Sequence, residues 1–226
     1  MPAYQCAYCG VVADATDDHI PAKTFFGGAL DAPLPSVKAC EACNQGASLD
    51  DEYLRDTILM YHGTADLPQA QAHIEKMFRA LALPRKQSYA RATFRRLDSA
   101  AATTPAGLYL GTQPVVRVDQ VRMQRVIARY ARGLHRYHFG ERVPADTPMH
   151  VIVNPDALHE HSDEFVEGFR GAEVSTLKEG VFWYARMRPR ARPTSSYWLL
   201  MFFDVFPTII AMRPDQPFPR QDALAV

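Results

Sequence analysis

The residues with the clearest chemical signature are the four cysteines. They stand in two pairs, Cys6-Ala-Tyr-Cys9 and Cys40-Glu-Ala-Cys43, with no cysteine elsewhere in 226 residues. Each C-x2-C pair can turn both sulfurs onto one ion, and two pairs complete a tetrahedral shell with no open position. A closed shell implies a structural metal. It would tie residue 6 to residue 43 and replace the core that ~45 residues could not build alone. Zinc is the expected ion. A rubredoxin-type iron uses the same four thiolates, and ligand type alone leaves both metals open.

Between the pairs lies Thr16-Asp17-Asp18-His19-Ile20-Pro21-Ala22-Lys23, and Asn44 follows the last cysteine directly. A C-x2-C pair, then Asp-His-Ile-Pro, then C-x2-C-Asn ahead of a helix, resembles the HNH endonucleases with their ββα-metal fold. The resemblance covers about residues 4–60. It implies that Asp18 binds a catalytic Mg²⁺ or Mn²⁺ ion, that His19 is the general base, and that Asn44 fills the third signature position as a second ligand. Two departures stand out. Asn44 replaces the histidine that many members carry there. The middle asparagine before the second knuckle is not evident in Pro33-Leu-Pro-Ser-Val-Lys-Ala39.

The residue types suit phosphodiester hydrolysis, which needs an activated water and relief of charge on the phosphate. A neutral imidazole can accept the water's proton near pH 7. A hard cation prefers oxygen donors such as a carboxylate and an amide. However, adjacent residues in an extended segment point to opposite sides, so Asp18 and His19 share a role only if the chain bends, and Pro21 is consistent with a turn. Asp17 reads as a solvated neighbour. Lys23 is a candidate phosphate contact. Ser48-x-x-Asp51 resembles a capping box, so Asp51 reads as a helix-capping carboxylate.

These residues need elements to position them. A helix is expected from Ser48 to about Tyr61, and another from Pro68 to Leu81, ended by Pro84. Residues 85–97 form a short basic segment, and Ser99–Gly107 reads as a linker or exposed loop. Leu108–Val118 reads as one or two strands. Asp119 then caps a helix reaching Phe139, with Gly140 as its stop. Met149–Val153 reads as a strand and Pro155–Phe169 as a helix. Val181–Met187, Tyr197–Val205 and Pro207–Met212 read as antiparallel strands.

Charge is unevenly placed. Residues 1–50 carry two basic and six acidic side chains, whereas residues 85–142 carry twelve and three. Arg122, Arg125, Arg129, Arg132 and Arg136 fall at helical spacing on one face, while Met123, Ile127, Tyr130, Leu134 and Tyr137 would face the core. The arginine stripe reads either as phosphate contacts or as partners of acidic side chains further on, such as Glu160, Asp163, Glu164 and Glu167. Arg186, Arg188, Arg190 and Arg192 suggest a second basic edge. Tyr197 and Trp198 read as core, with base stacking the alternative.

A hydrophobic fraction of 47% excludes wholesale disorder, and a net charge of zero excludes a histone-like polycation. The chain has no apolar run of membrane-spanning length, and Met1-Pro-Ala-Tyr-Gln5 does not read as a secretory signal, so a cytoplasmic setting is expected. The expected fold is α+β: a zinc-stapled ββα-metal module at residues 1–62, then an accessory α+β domain at 63–226, helical over 63–140 and strand-rich over 148–213. The expected function is a metal-dependent HNH-type nuclease acting on DNA, or RNA, without a membrane partner. The alternative is a zinc-knuckle module that binds nucleic acid or a partner without catalysis.

Overall fold

The computed structural model describes residues 4–26, 30–104, 106–153, 156, 163, 167–189 and 195–212. β1 (Tyr4–Gln5) and β2 (Val12–Ala13) form a short antiparallel pair around the first cysteine knuckle. Gly10, with φ of 78°, lets the chain reverse just past Cys9. β3 (Ala15–His19) and β4 (Ser36–Cys40) then form a second antiparallel pair, with Asp18 opposite Val37 and His19 opposite Ser36. A single 3₁₀ turn, Lys23–Phe25, follows β3. α1 (Glu41–Gln45) starts at the second knuckle, and α2 (Ser48–Leu59) continues from it. The order along this stretch is thus two paired strands followed by a helix.

α3 (His62–Ala65) leads into α4 (Pro68–Leu81), whose bounds are those expected from its apolar stripe and first-turn proline. The basic segment after it folds as a 3₁₀ turn, Pro84–Lys86, and α5 (Gln87–Phe94). The expected loop at 99–107 is instead mostly strand. β5 (Leu97–Thr103) pairs with β6 (Tyr109–Val116), and both strands are largely exposed. Ser99-Ala-Ala-Ala102 lacks the β-branched and aromatic residues that mark strands, so only its pairing partner reveals it.

α6 (Gln120–Phe139) matches its expected bounds and caps. The Asp119 carboxylate accepts from the Arg122 amide at 3.0 Å, and Gly140 adopts a left-handed conformation with φ of 68°. Met123, Ile127, Tyr130 and Leu134 are buried as expected, but Tyr137 is exposed. β7 (Met149–Ile152), β8 (Glu173–Lys178), β9 (Phe182–Met187), β10 (Ser196–Phe202) and β11 (Phe206–Met212) form one antiparallel sheet in the order β7-β11-β10-β9-β8. β9 and β11 match the expected strands to within one residue, β10 stops at Phe202 rather than Val205, and β8 was not among the expected strands. The helix expected at Pro155–Phe169 lies largely outside the described residues. The architecture is therefore α+β, with an antiparallel sheet.

One apolar core runs through residues on both sides of position 62. Ile20, Leu54 and Ile58 share it with Met123, Tyr130, Phe182, Trp198 and Phe202. Phe25 meets Phe202 at 5.3 Å between ring centres. α6 is the hinge pin of this core, since it touches α2, β4, β7 and β11. At Gly133 the approach is closest, because a Cβ there would lie 2.2 Å from Ile20 Cδ1 and 3.0 Å from the Tyr8 hydroxyl. Among the described residues, no helix is long and apolar enough to cross a membrane.

Candidate functional site

The two knuckles bring all four sulfurs together. The Sγ atoms of Cys6, Cys9, Cys40 and Cys43 lie within 4.8 Å of one another, with Cys9 and Cys40 at 3.7 Å. A tetrahedron with metal–sulfur bonds of about 2.3 Å separates its sulfurs by about 3.8 Å, so the cluster fits a four-thiolate zinc. Backbone bonds set this geometry. The Cys6 amide donates to Val11 O at 2.9 Å, and the Ala7 amide to Lys38 O at 2.9 Å, which ties the first knuckle to β4. Burial works against ionising Cys6, but the backbone amides of Cys40, Cys9 and Tyr8 outweigh it and draw the thiol down to about 6. Cys43 shifts upward because of burial and the neighbouring thiols. An ion with charge +2 at the centre reverses that second tendency, because metal binding deprotonates its thiols.

The three residues of the HNH resemblance are placed differently. Asp18 is buried at 5% exposure and faces α6. Its Oδ2 accepts from the Tyr8 hydroxyl at 2.5 Å, and both its oxygens accept from Arg129 Nη2, at 2.8 and 3.0 Å. His19, the next residue along an extended strand, projects to the other face and is half-buried. That face also carries Ser36 and the Asp17–Lys38 ion pair at 2.9 Å. Asn44 sits within α1. Its side-chain amide nitrogen donates to Thr16 Oγ1 at 2.7 Å and toward Asp17 O at 3.4 Å, which fastens α1 to β3. Asp18 and Asn44 therefore do not share an open seat with His19. A carboxylate already engaged by a guanidinium and a phenol does not fit as the ligand of a catalytic Mg²⁺ or Mn²⁺.

Asp51 corrects the capping expectation. α2 has Ala47 at its N-cap and no side-chain cap, and Asp51 is buried. Its carboxylate accepts from Arg129 Nη1 at 2.9 and 3.1 Å and from the Tyr130 hydroxyl at 2.9 Å. Burial pushes Asp51 above the usual carboxylate range, while the Arg129 charge opposes it. Burial also raises the Tyr8 and Tyr130 phenols, Tyr8 further through Asp18 and Tyr130 through Asp51, so both remain donors at neutral pH. Arg129 is thus the internal cation of a buried five-residue network joining the first knuckle, β3, α2 and α6. Neither Arg129 nor Asp51 was legible as such, since their partners lie 111 and 78 residues away.

The rest of the arginine stripe is largely occupied as well. Arg122 pairs with Asp50 at 2.7 Å, and its guanidinium stacks 4.2 Å from the Tyr53 ring centre. Arg132 donates to Ala145 O, and Arg136 to Gly140 O. Only Arg125 stands exposed, at a groove of about 390 Å³ that Cys9, Cys43 and Arg132 also line. The carboxylates that hold Arg122 and Arg129 come from the N-terminal 51 residues, not from 160–167. The second basic edge is likewise neutralised where it is described, as Arg186 pairs with Glu173 and Arg188 with Glu141. Arg190 and Arg192 lie outside the described residues. Trp198 is fully buried, so it is core. Lys23 is exposed beside His19. With burial as the first cause and the Lys23 charge as the second, His19 is held below the usual imidazole range.

No family model matches the chain, and searches of curated proteins and of solved structures also return no match.

Proposed function

We propose that this chain is a nuclease of the HNH type that hydrolyses phosphodiester bonds in DNA, with His19 as the general base. The observation that carries this reading is the ββα order of β3, β4 and α1, closed by the cysteine cluster, with His19 at the end of β3 on the face away from the core. Its lowered pKa leaves the imidazole neutral at pH 7, ready to take a proton from water. Lys23 supplies a positive charge beside it for a phosphate oxygen. The zinc would hold the hairpin and take no part in the reaction. Asp18 is assigned a positioning role, since it holds the hairpin on α6 through Arg129.

A second reading is favoured by that same Asp18–Arg129 pair: a zinc-stapled module that binds nucleic acid without cleaving it. Plasmid nicking by the purified protein, with and without added Mg²⁺ or Mn²⁺, separates the two. The nuclease reading expects nicking that His19→Ala abolishes while zinc content and the circular dichroism spectrum stay unchanged. Retention of DNA with no His19-dependent nicking under any of these conditions leaves the second reading standing.

A further inference from the structure

From Lys76 to Leu97 the chain carries seven cationic side chains and no carboxylate. Two of the seven are used internally. Lys86 pairs with Glu52 at 2.5 Å, and Arg96 donates to Thr57 and stacks on Tyr53. Lys76, Arg79, Arg85, Arg91 and Arg95 are exposed, and among the described residues none has a carboxylate partner. The acids that flank the segment do not neutralise it: Asp98 faces Arg117, and Glu75 is exposed with no ion pair among the described residues.

The two helices, which pack on each other, also carry aromatic rings. α4 buries Ala70, His73, Met77 and Leu81, and α5 buries Ala90 and Thr93, so both helices have a satisfied inner face. On their outward faces Phe78 is 51% and Phe94 is 49% exposed. Leaving half of each ring in water forgoes part of the favourable burial that such side chains usually obtain. Unpaired arginines interleaved with exposed rings are what a single strand of nucleic acid requires, because cations track the phosphates and rings stack on unpaired bases. An acidic peptide would account for the arginines but not for the flat rings. A duplex keeps its bases stacked internally and offers the rings no partner.

We infer that the outward face of α4 and α5 is a binding surface for single-stranded nucleic acid, with Arg79, Arg91 and Arg95 on phosphates and Phe78 and Phe94 beneath bases. This rests on the reading of the chain as one that acts on nucleic acid, and it places that contact away from the arginine stripe of α6.

The test uses the full zinc-loaded chain carrying His19→Ala, so that the probe stays intact, and follows the fluorescence anisotropy of a labelled oligothymidylate of about 20 nucleotides. Replacing Arg79, Arg91 and Arg95 with Gln should weaken binding at least tenfold. It should also lower the slope of log affinity against log salt by about 2, as expected for three phosphate contacts at roughly 0.7 each. The corresponding three Arg→Lys changes should restore most of both. Phe78→Ala with Phe94→Ala should weaken the single strand about tenfold and leave a duplex of the same length unaffected. Parental affinity and slope in the triple Gln variant would overturn the assignment. So would equal sensitivity of duplex and single strand to the phenylalanine changes, or equal competition by polyglutamate. A chain that never cleaves but passes these tests refutes the nuclease reading alone. A chain with His19-dependent cleavage that fails them refutes this surface alone.

Discussion

α6 and the α4–α5 pair both carry arginines at helical spacing, yet they stand in opposite electrostatic situations. On α6 the guanidinium of Arg129 lies between Asp18 and Asp51, and that of Arg122 lies against Asp50 and Tyr53. On α4, on α5 and just past its end, Arg79, Arg91 and Arg95 have no carboxylate partner among the described residues. Spacing alone puts side chains on a common face, but it does not say whether another element covers that face. Here Asp18, Asp50 and Asp51 of the acidic N-terminal segment cover α6. The basic stretch after α4 has no such complement. The charge asymmetry visible along the chain is thus half a record of internal pairing and half a record of an open surface.

The largest effect that sharpens this contrast is expected at Asp18. Asp18→Ala leaves a buried arginine with one carboxylate in place of two, which should cost about 3 kcal/mol in urea unfolding. An Asp18→Ala chain as stable as the parent would mean that Arg129 is not held as described. By contrast, Arg91→Ala is expected within about 0.5 kcal/mol of the parent, as for surface changes generally. A large loss of stability there would show that α5 is not an open face.

Next comes Gly133→Ala. Helix propensity alone favours alanine by about 1 kcal/mol. The added Cβ would meet Ile20 and the Tyr8 hydroxyl, so overpacking should reverse the sign and give a net loss of about 1–2 kcal/mol. A gain in melting temperature would show that the contact between α6 and the first knuckle is looser than described.

A separate effect shows only in acid. His138 Nε2 lies 2.8 Å from the Tyr184 hydroxyl, and burial, followed by the Arg186 charge, lowers the imidazole to about 4. Its folded pKa is depressed below the usual 6.5, so its contribution to stability is present above pH 6.5 and declines as pH falls toward 4. His138→Gln should flatten the stability profile across that window. An unchanged profile would remove His138 from the acid response.

Much of this was legible. The cysteine spacing announced the cluster, Pro68 and the apolar stripe announced α4, and Asp119 and Gly140 announced the ends of α6. The aromatic runs gave β9, β10 and β11, because buried strands keep short apolar stretches whatever their neighbours. What escaped depends on distant parts of the chain. Asp51 in a first turn has the same local signature whether it caps its helix or accepts from an arginine 78 residues on. Asp18 beside His19 reads as a ligand until the pleat turns it toward α6. The small residues of β5 carry no strand preference and are fixed only by β6.

The N-terminal hairpins, and with them the placement of His19 and Asp18, depend on the cysteine cluster joining the first knuckle to the end of β4. Zinc-edge X-ray absorption on the purified protein, with metal counted per chain, is the direct test. The account predicts one zinc per chain bound by four sulfurs at about 2.3 Å. A folded chain without metal, or a metal with nitrogen or oxygen among its ligands, would contradict it.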